Sequence, residues 1–307
     1  MRVFLSSTYE DLVLHREKAA HAIERLGQQG VRMEVFGARP LEPTQACFEE
    51  IEASDALVGI YAHRYGYIPS GAAKSITEQE FDCAHEKGEP IFCFMVEEDY
   101  PWLPRYVEGE PARSKLPEFK QRVRKVTVTD SFTTPEDLAY KVSSSLGRFL
   151  LTRKIREELE RIPQAEKVST EHGRSQVARR GARLQAIIRG ARVLLVNDVP
   201  AEMFHVIQII RGLDLEVEVA TTSEDALGML TKDPYDVVIS DMRRGTIEDE
   251  GVRFLSRMRA KNLRHPVIFT VGRVEPGRGT PPHAFGITNR VDELLNLLFD
   301  ALERIHG

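Results

Sequence analysis

The stretch ALVGIY at residues 56–61 is apolar at almost every position. Such a continuous run is typical of a central strand that is buried on both faces of a parallel sheet. Short runs that read as strands (3–5, 31–35, 90–96 and 125–129) alternate around it with segments of helical spacing (9–28, 44–53, 77–86 and 135–151). This alternation predicts a doubly wound parallel-sheet α/β domain over residues 1–151.

A second series of strands and helices begins after residue 190. Predicted strands at 192–196, 215–219, 237–240 and 266–271 alternate with predicted helices, the last of them at 291–305. They indicate a second doubly wound, flavodoxin-like α/β domain at 191–307. Residues 152–190 between the two domains are charged and helical in character, and are interpreted as a linker.

A basic stretch at 174–192, which covers the end of the linker and the start of the next strand, contains six arginines and no acidic residue. Our interpretation is a solvated connecting helix. The alternative is a surface for an anionic partner, whose binding would weaken with salt.

Composition excludes several classes of function. The chain has 307 residues, 42 Lys and Arg against 47 Asp and Glu, and a net charge of −5, so it is not a bulk nucleic-acid binder. No apolar run approaches the length of a membrane span, and the start of the chain does not read as a signal peptide. The three cysteines include no CxxC pair, which favours free thiols in a reducing cytoplasm. Neither a zinc-spaced Cys/His cluster nor a GxxxxGK[ST] or GxGxxG motif occurs.

Three polar residues follow predicted strands of the second half. Asp198 comes after the first strand, Asp241 after the third, and Thr270 ends the fourth. Ligands of open parallel sheets bind at the carboxyl ends of the strands, so these side chains are expected in one crevice. Two carboxylates there would hold Mg²⁺, and the cation would let Asp241 accept a phosphoryl group.

The segments VLLVND (193–198), DVVISDM (236–242), VIFTVG (267–272) and AFGITN (284–289) resemble the receiver domains of two-component response regulators. The resemblance implies that Asp241 is the phosphoacceptor, that Asp198 and Asp241 bind the metal, and that Thr270 is the switch hydroxyl. Receivers usually have an acid where Asn197 stands and a lysine where Asn289 stands. Asn289 cannot supply the lysine's charge. A degenerate receiver used for dimerisation or docking is therefore the alternative.

The N-terminal half has two candidate segments. FLSSTYEDL (4–12) places Ser6, Ser7 and Thr8 after the first strand, where hydroxyls would cap a helix or backbone N–H groups would meet an anion. The second segment, 61–84, carries the remaining candidates: Arg64, Tyr65, Glu78 and Glu80. The two glutamates lie at a helix start, where the helix dipole favours acids; a carboxylate there would also stabilise an oxocarbenium-like sugar.

The motifs VFLSSTYEDL, YAHRYGYIP and SITEQEF resemble the family known as domain of unknown function 4062, over about residues 1–100. More distantly the layout is similar to TIR domains and nucleoside deoxyribosyltransferases. That likeness implies that Glu80, or Glu78 in its place, acts on an N-glycosidic bond. Ser6, Ser7, Arg64 and Tyr65 are the candidate sugar-binding groups.

Three functions follow from these resemblances. The first is a signalling effector whose TIR-like domain cleaves a nucleotide, with NAD as the leading substrate, under control of the receiver domain and of self-association. The second is a non-enzymatic adaptor whose two domains bind proteins or nucleotides. The third is a phosphorelay regulator that an upstream kinase phosphorylates on Asp241.

Overall fold

The computed structural model describes residues 1–35, 43–162, 171–272 and 279–307. The chain divides into two compact units, Met1–Gly147 and Arg148–Gly307. Within the described residues, no helix combines the length and apolar character needed to cross a membrane. Cys47, Cys83 and Cys93 are free thiols, as predicted.

The first unit is an α/β domain with a five-stranded, wholly parallel sheet in the order β2-β1-β3-β4-β5. Its elements are β1 (Arg2–Ser7), α1 (Val13–Arg25), β2 (Gln29–Val31), α2 (Pro43–Glu52), β3 (Ala56–Tyr61), α3 (Ile76–Glu86), β4 (Ile91–Val96), α4 (Ala112–Val126), β5 (Thr129–Phe132) and the start of α5 (Pro135–Glu160), whose residues from Arg148 onward belong to the second unit. All six residues of β3 are buried, because helices cover both faces of the sheet. The predicted fold class is confirmed.

Three elements of the first unit differ from the prediction. The strand expected at 31–35 is β2, and a short 3-10 helix, Met33–Val35, follows it. The strand expected at 125–129 begins only at Thr129. The unpredicted helix α4 occupies the residues before it, and only Phe119 and Val123 of α4 are buried. Two apolar residues four positions apart are too few to show a helical period among so many charges.

The second unit has the same architecture, with the parallel order β10-β9-β8-β6-β7. Its elements after α5 are α6 (Glu171–Ile188), β6 (Arg192–Val196), α7 (Phe204–Gly212), β7 (Glu216–Ala220), α8 (Ser223–Lys232), β8 (Val237–Asp241), α9 (Glu250–Ala260), β9 (Val267–Thr270), β10 (Gly286–Thr288) and α10 (Val291–His306). In both sheets the first and third strands of the unit lie side by side. The second strand lies on one side of this pair and the fourth and fifth strands lie on the other, so the strand order reverses between the first and third strands. That reversal is the position at which doubly wound sheets bind ligands.

The expected helical linker is present as the end of α5 and as α6, but α6 is not the solvated connecting helix that we expected for the basic stretch. Ile155 and Leu159 of α5, together with Val177, Leu184 and Ile188 of α6, belong to the buried core of the second unit. Arg180 of α6 pairs with Asp300 and Glu303 of α10. The apolar residues of α6 lie on one face, and the arginines between them obscured that pattern in the sequence.

Candidate functional site

The three polar residues predicted for the second unit lie together at the carboxyl edge of its sheet. Asp198 follows β6 by two residues and is exposed, whereas Asp241 is the last residue of β8 and is partly buried. Asp241 is paired in register with Thr270, the last residue of β9, which is buried. The register of three adjacent parallel strands therefore builds this site, which we call the receiver site.

Electrostatics at the receiver site favour a cation. Burial raises the pKa of the Asp241 carboxyl, the Met242 backbone N–H lowers it, and the negative charge of Asp198 raises it again. One carboxylate oxygen of Asp198, Oδ2, accepts a hydrogen bond from the Gly245 backbone N–H at 2.7 Å. Two close carboxylates repel each other, and a divalent cation between them would remove that repulsion.

The carboxylate oxygens of Asp198 and Asp241 suit Mg²⁺, which usually binds one or two carboxylates and keeps several waters. No group of three or more His, Cys, Asp or Glu side chains suited to a metal occurs among the described residues. Asp198 and Asp241 would therefore hold the ion together with water and phosphoryl oxygens. The ion would neutralise charge on an incoming phosphoryl group.

Arg244 is a residue of this site that the sequence analysis missed. Its Nη1 donates at 2.8 Å both to the Ser240 hydroxyl and to the Asp241 backbone carbonyl. Its Nη2 donates to the Ser223 hydroxyl at 2.8 Å, and that hydroxyl donates to Glu250 at 2.6 Å. The guanidinium is almost fully buried and lowers the pKa of Asp241. A buried guanidinium is thus bonded to the backbone of the candidate phosphoacceptor, although Asn289 replaces the usual lysine.

The two asparagines of the receiver site have different surroundings. Asn197 is buried and accepts a hydrogen bond on Oδ1 from the Val199 backbone N–H at 2.7 Å, so this oxygen stabilises the local turn. Asn289 follows β10 and is partly buried. Its neighbour Thr288 is buried and donates to Glu293 at 2.6 Å.

In the first unit, the predicted catalytic carboxylates are engaged by neighbouring side chains. Ser6 at the end of β1 donates to Glu80 of α3 at 2.6 Å, and Glu80 is only 4% exposed. Burial raises the pKa of Glu80 to about 7, against the lowering effects of Ser6 and Arg16. Glu78 accepts hydrogen bonds from the Tyr65 hydroxyl and from Arg122. The two glutamates therefore belong to separate hydrogen-bond clusters.

The hydroxyls of the 4–12 segment do not cap α1, so the prediction that they would cap a helix is wrong. The helix starts later than expected, at Val13, and its N-cap Leu12 makes no side-chain capping bond. Thr8 instead donates to Asp11 at 2.6 Å. The hydroxyl of Ser7 accepts from Arg16 at 2.7 Å. In contrast, Ser75 caps α3 by accepting from the Glu78 backbone N–H.

Arg64 is held at the edge of the first unit by two carboxylates. It pairs with Glu10 at 2.8 Å and with Glu108 at 3.3 Å. Glu108 also accepts hydrogen bonds from the backbone N–H groups of Tyr65 and Gly66. These contacts shape the loop that follows β3, and they place Arg64 beside a second group of residues described next.

That group, which we call the His–Trp cluster, was missed by the sequence analysis. It contains Asp11, His15, His63, Trp102 and Lys120. The ring centroid of Trp102 lies 5.7 Å from that of His15 and 5.5 Å from that of His63. Burial lowers the pKa of both histidines and lowers the pKa of Lys120 to about 8. Several perturbed groups at a sheet edge are typical of functional sites.

Comparisons with known proteins find one family match in each half of the chain. Residues 2–147 match the family described as Domain of unknown function (DUF4062), and residues 193–278 match the response regulator receiver domain. Among curated proteins, none matches the sequence. The family matches confirm both family resemblances, while the likeness of the first unit to TIR domains stays a prediction.

Several solved structures of receiver domains are similar to part of the chain. A signal receiver domain of an HD domain-containing protein from Pseudomonas fluorescens is 22% identical, with a TM-score of 0.34; the match covers 38% of this chain and 98% of that one. A response regulator from Thermotoga maritima, solved with Mg(2+)-BeF, is 21% identical, with a TM-score of 0.32 and coverages of 36% and 98%. A chemotaxis response regulator of Vibrio cholerae is 23% identical, with the same TM-score and coverages.

Proposed function

We propose, for a chain that joins a domain of unknown function 4062 to a response regulator receiver domain, a signalling role in which Asp241 accepts a phosphoryl group. The observation that carries the proposal is the convergence of Asp198, Asp241 and Thr270 at the carboxyl edge of one sheet. A carboxylate oxygen of Asp241 would attack phosphorus, and the bond to the leaving group would break with its electron pair on that group. Phosphoryl transfer requires mainly positioning and charge neutralisation, which Asp198 and Mg²⁺ would supply, while the positive charge of the buried Arg244 favours the ionised carboxylate of Asp241.

The test is incubation of the purified chain with acetyl phosphate and Mg²⁺, followed by intact-mass measurement. We expect the addition of one phosphoryl group, lost in Asp241→Asn and when Mg²⁺ is chelated. Asp198→Asn should reduce labelling strongly, since it removes one of the two carboxylates that hold the ion. Asp249→Asn, an exposed carboxylate at the start of α9, is the matched control and should label normally.

The absence of any mass shift, with a conventional receiver labelled in parallel, would contradict this function. Asn197 and Asn289, which stand in place of the acid and the lysine usual in receivers, would then favour a second unit that serves for docking or dimerisation. Sedimentation of the unlabelled chain over a range of concentrations would test that alternative directly.

A second candidate concerns the first unit and is cleavage of a nucleotide N-glycosidic bond, with NAD as the leading substrate. Its support is the carboxyl of Glu80, which shares a hydrogen bond with Ser6 at the end of β1 and has a pKa raised to about 7 by burial. Contact with a substrate would require this carboxyl to become exposed. We would follow nicotinamide release from NAD⁺ at low and high protein concentration, with Glu80→Gln in parallel.

Concentration-dependent release that Glu80→Gln lacks would support the glycohydrolase. Release unchanged in Glu80→Gln would remove Glu80 from the reaction. No release at any concentration would favour the adaptor role, in which the first unit binds a partner or a nucleotide without chemistry.

A further inference from the structure

The His–Trp cluster lies where the strand order of the first sheet reverses. Asp11 comes after β1, and His63 follows β3 by two residues. Trp102 follows β4, the next strand along the edge. Because the reversal separates β1 from β3, their connections leave in opposite directions and open a crevice between them. The second unit places Asp198 and Asp241 at the corresponding position, after its first and third strands.

Four buried polar atoms of the cluster have no hydrogen-bond partner in the part of the chain that the structure describes. They are Asp11 Oδ2, His15 Nε2, His63 Nε2 and Trp102 Nε1. An unpaired buried polar atom costs about 1–3 kcal/mol, so folded proteins rarely keep several together without a bound molecule or ordered water. The concentration of such atoms at one edge is therefore an indication of a ligand that completes their bonding.

Lys120 of α4 adds a positive charge to the same place. Its side chain is partly buried, and no hydrogen bond or ion pair of its ammonium is found among the described residues. The positive charge of Lys120 lowers the pKa of His63. Asp11 and Glu98 favour the charged form of Lys120, whereas Arg124 disfavours it. Burial disfavours the charged form of a lysine that has no hydrogen-bond partner, and a bound anion would favour that form.

The chemistry of these groups defines the class of ligand. Trp102 donates from its indole N–H, Lys120 donates three N–H bonds, and the histidines donate or accept. The partly exposed rings of Trp102 and His63 offer aromatic surface for a planar ring, while Lys120 suits a phosphate. We propose that the first unit binds a nucleotide at the His–Trp cluster, with its phosphate on Lys120 and its base against Trp102 and His63.

This site is separate from the Glu80–Ser6 pair, and it does not depend on phosphorylation of Asp241. Glu80 is paired and buried on α3, whereas the cluster is formed by α1, α4 and the loops that follow β1, β3 and β4. An open pocket of about 420 Å³ lies apart from the cluster, at the β4–β5 side of the sheet, and none of its lining residues is a member of the cluster.

The test is calorimetric titration of the full chain with adenosine monophosphate, adenosine and inorganic phosphate. We expect binding of the nucleotide, and weaker binding of adenosine and of phosphate. Lys120→Met keeps the aliphatic stem and removes the charge, whereas Trp102→Phe keeps an aromatic ring and removes the N–H donor. Each should weaken nucleotide binding by about tenfold or more.

Lys125→Met is the matched control, since Lys125 is exposed on the same helix, and it should leave binding unchanged. Melting temperatures of the three variants would show that they remain folded. The proposal is overturned if the wild-type chain binds no nucleotide at millimolar concentration, or if both cluster variants bind as the wild type does. Equal affinity for phosphate and nucleotide would overturn the role of the base.

Discussion

At the scale of single residues, the burial of Glu80 makes the stability of the first unit depend on pH. Its carboxyl accepts from Ser6 and its pKa is raised to about 7 from the ordinary 4.5, chiefly because burial penalises the charge. The folded chain therefore holds this proton between pH 4.5 and 7, whereas the unfolded chain has released it. The contribution to stability is complete below pH 4.5 and is lost as the pH rises through 7.

We predict that Glu80→Gln becomes more stable relative to wild type as the pH rises from 5 to 8. Glutamine keeps an acceptor for Ser6 and removes the cost of the charge, which is on the order of 3 kcal/mol for a shift of this size. The chain has one tryptophan, Trp102, and it lies in the first unit. Urea unfolding followed by tryptophan fluorescence at both pH values thus reports on the correct domain.

The matched control for this measurement is Glu86→Gln, a change at an exposed glutamate of the same helix. It should leave the pH dependence of the wild type as it is. An unchanged difference in free energy of unfolding between Glu80→Gln and wild type at pH 5 and pH 8 would contradict the raised pKa of Glu80, because His15 and His63 titrate alike in both chains.

Arg244 shows how a single residue escapes analysis of the sequence. It comes three positions after Asp241 and is buried against the Phe254 ring, with 5.5 Å between the ring centroid and the guanidinium carbon. An arginine in a charged loop is expected in water, and nothing local signals that Ser223 and Ser240 receive its hydrogen bonds. Ser223 is distant in sequence, so only the folded chain brings it to the guanidinium.

At the scale of elements, the sequence predicts best the strands that are buried on both faces. β3, β4, β6 and β8 are short apolar runs, and each lies within a residue of its predicted bounds. β5 (TDSF) and the three-residue β10 carry too few apolar residues to be distinguished from loops. Backbone pairing with a neighbouring strand forms them, and this pairing is not encoded in their own composition.

The same limit explains which candidate sites could be found. Asp198, Asp241 and Thr270 are recognisable because each lies at or just beyond the end of an apolar strand, and the register of a parallel sheet brings strand ends together. The His–Trp cluster draws on two helices and three loops and has no fixed spacing. Its signal is a set of buried polar atoms without partners among the described residues, which is visible only in the folded structure.

The packing of α6 against α10 gives a prediction about one glycine. A Cβ added at Gly181 would lie 3.0 Å from the Phe299 ring, 3.2 Å from Leu213 and 3.4 Å from Ile155. We expect Gly181→Leu to lower the free energy of unfolding of the second unit by about 1–3 kcal/mol, as overpacking does. Gly228→Leu on α8 is the control, because outside its chain neighbours and its own helix backbone no atom of the described residues comes within 4 Å of the point that its Cβ would occupy.

Hydrogen exchange detects this change locally. Gly181→Leu should accelerate exchange in the peptides of α6 and α10, whereas Gly228→Leu should leave these peptides unchanged. Equal protection of α10 in the wild type and in Gly181→Leu would show that α6 is not tightly packed on it.

At the scale of the whole molecule, the two units share one sheet topology and differ in what they place at its point of reversal. The first has an aspartate, two histidines, an indole and a lysine there, and the second has two carboxylates beside a buried arginine. One edge is suited to an anionic ligand and the other to a cation with a phosphoryl group. The shared architecture therefore does not determine a shared chemistry.

The last prediction concerns the residue at which the second domain begins. Eight apolar side chains from α5 and α6 are part of its core: Leu151, Ile155, Leu159, Val177, Ala178, Ala182, Leu184 and Ile188. Burying them contributes on the order of 10 kcal/mol, which is comparable with the whole stability of a domain. We therefore expect residues 148–307 to unfold cooperatively on heating, and residues 191–307 to be poorly folded or aggregated.

Calorimetry and near-ultraviolet circular dichroism of the two fragments make this comparison. Fragment 191–307 keeps every strand of the sheet and the residues of the receiver site, so a loss of cooperative unfolding is attributable to the missing helices. If both fragments unfold at the same temperature, α6 is dispensable and the domain begins near residue 191, as the sequence suggests. If only 148–307 folds, α6 is part of the second domain. Its exposed residues Arg179 and Arg183 then belong to the surface of that domain and not to a linker.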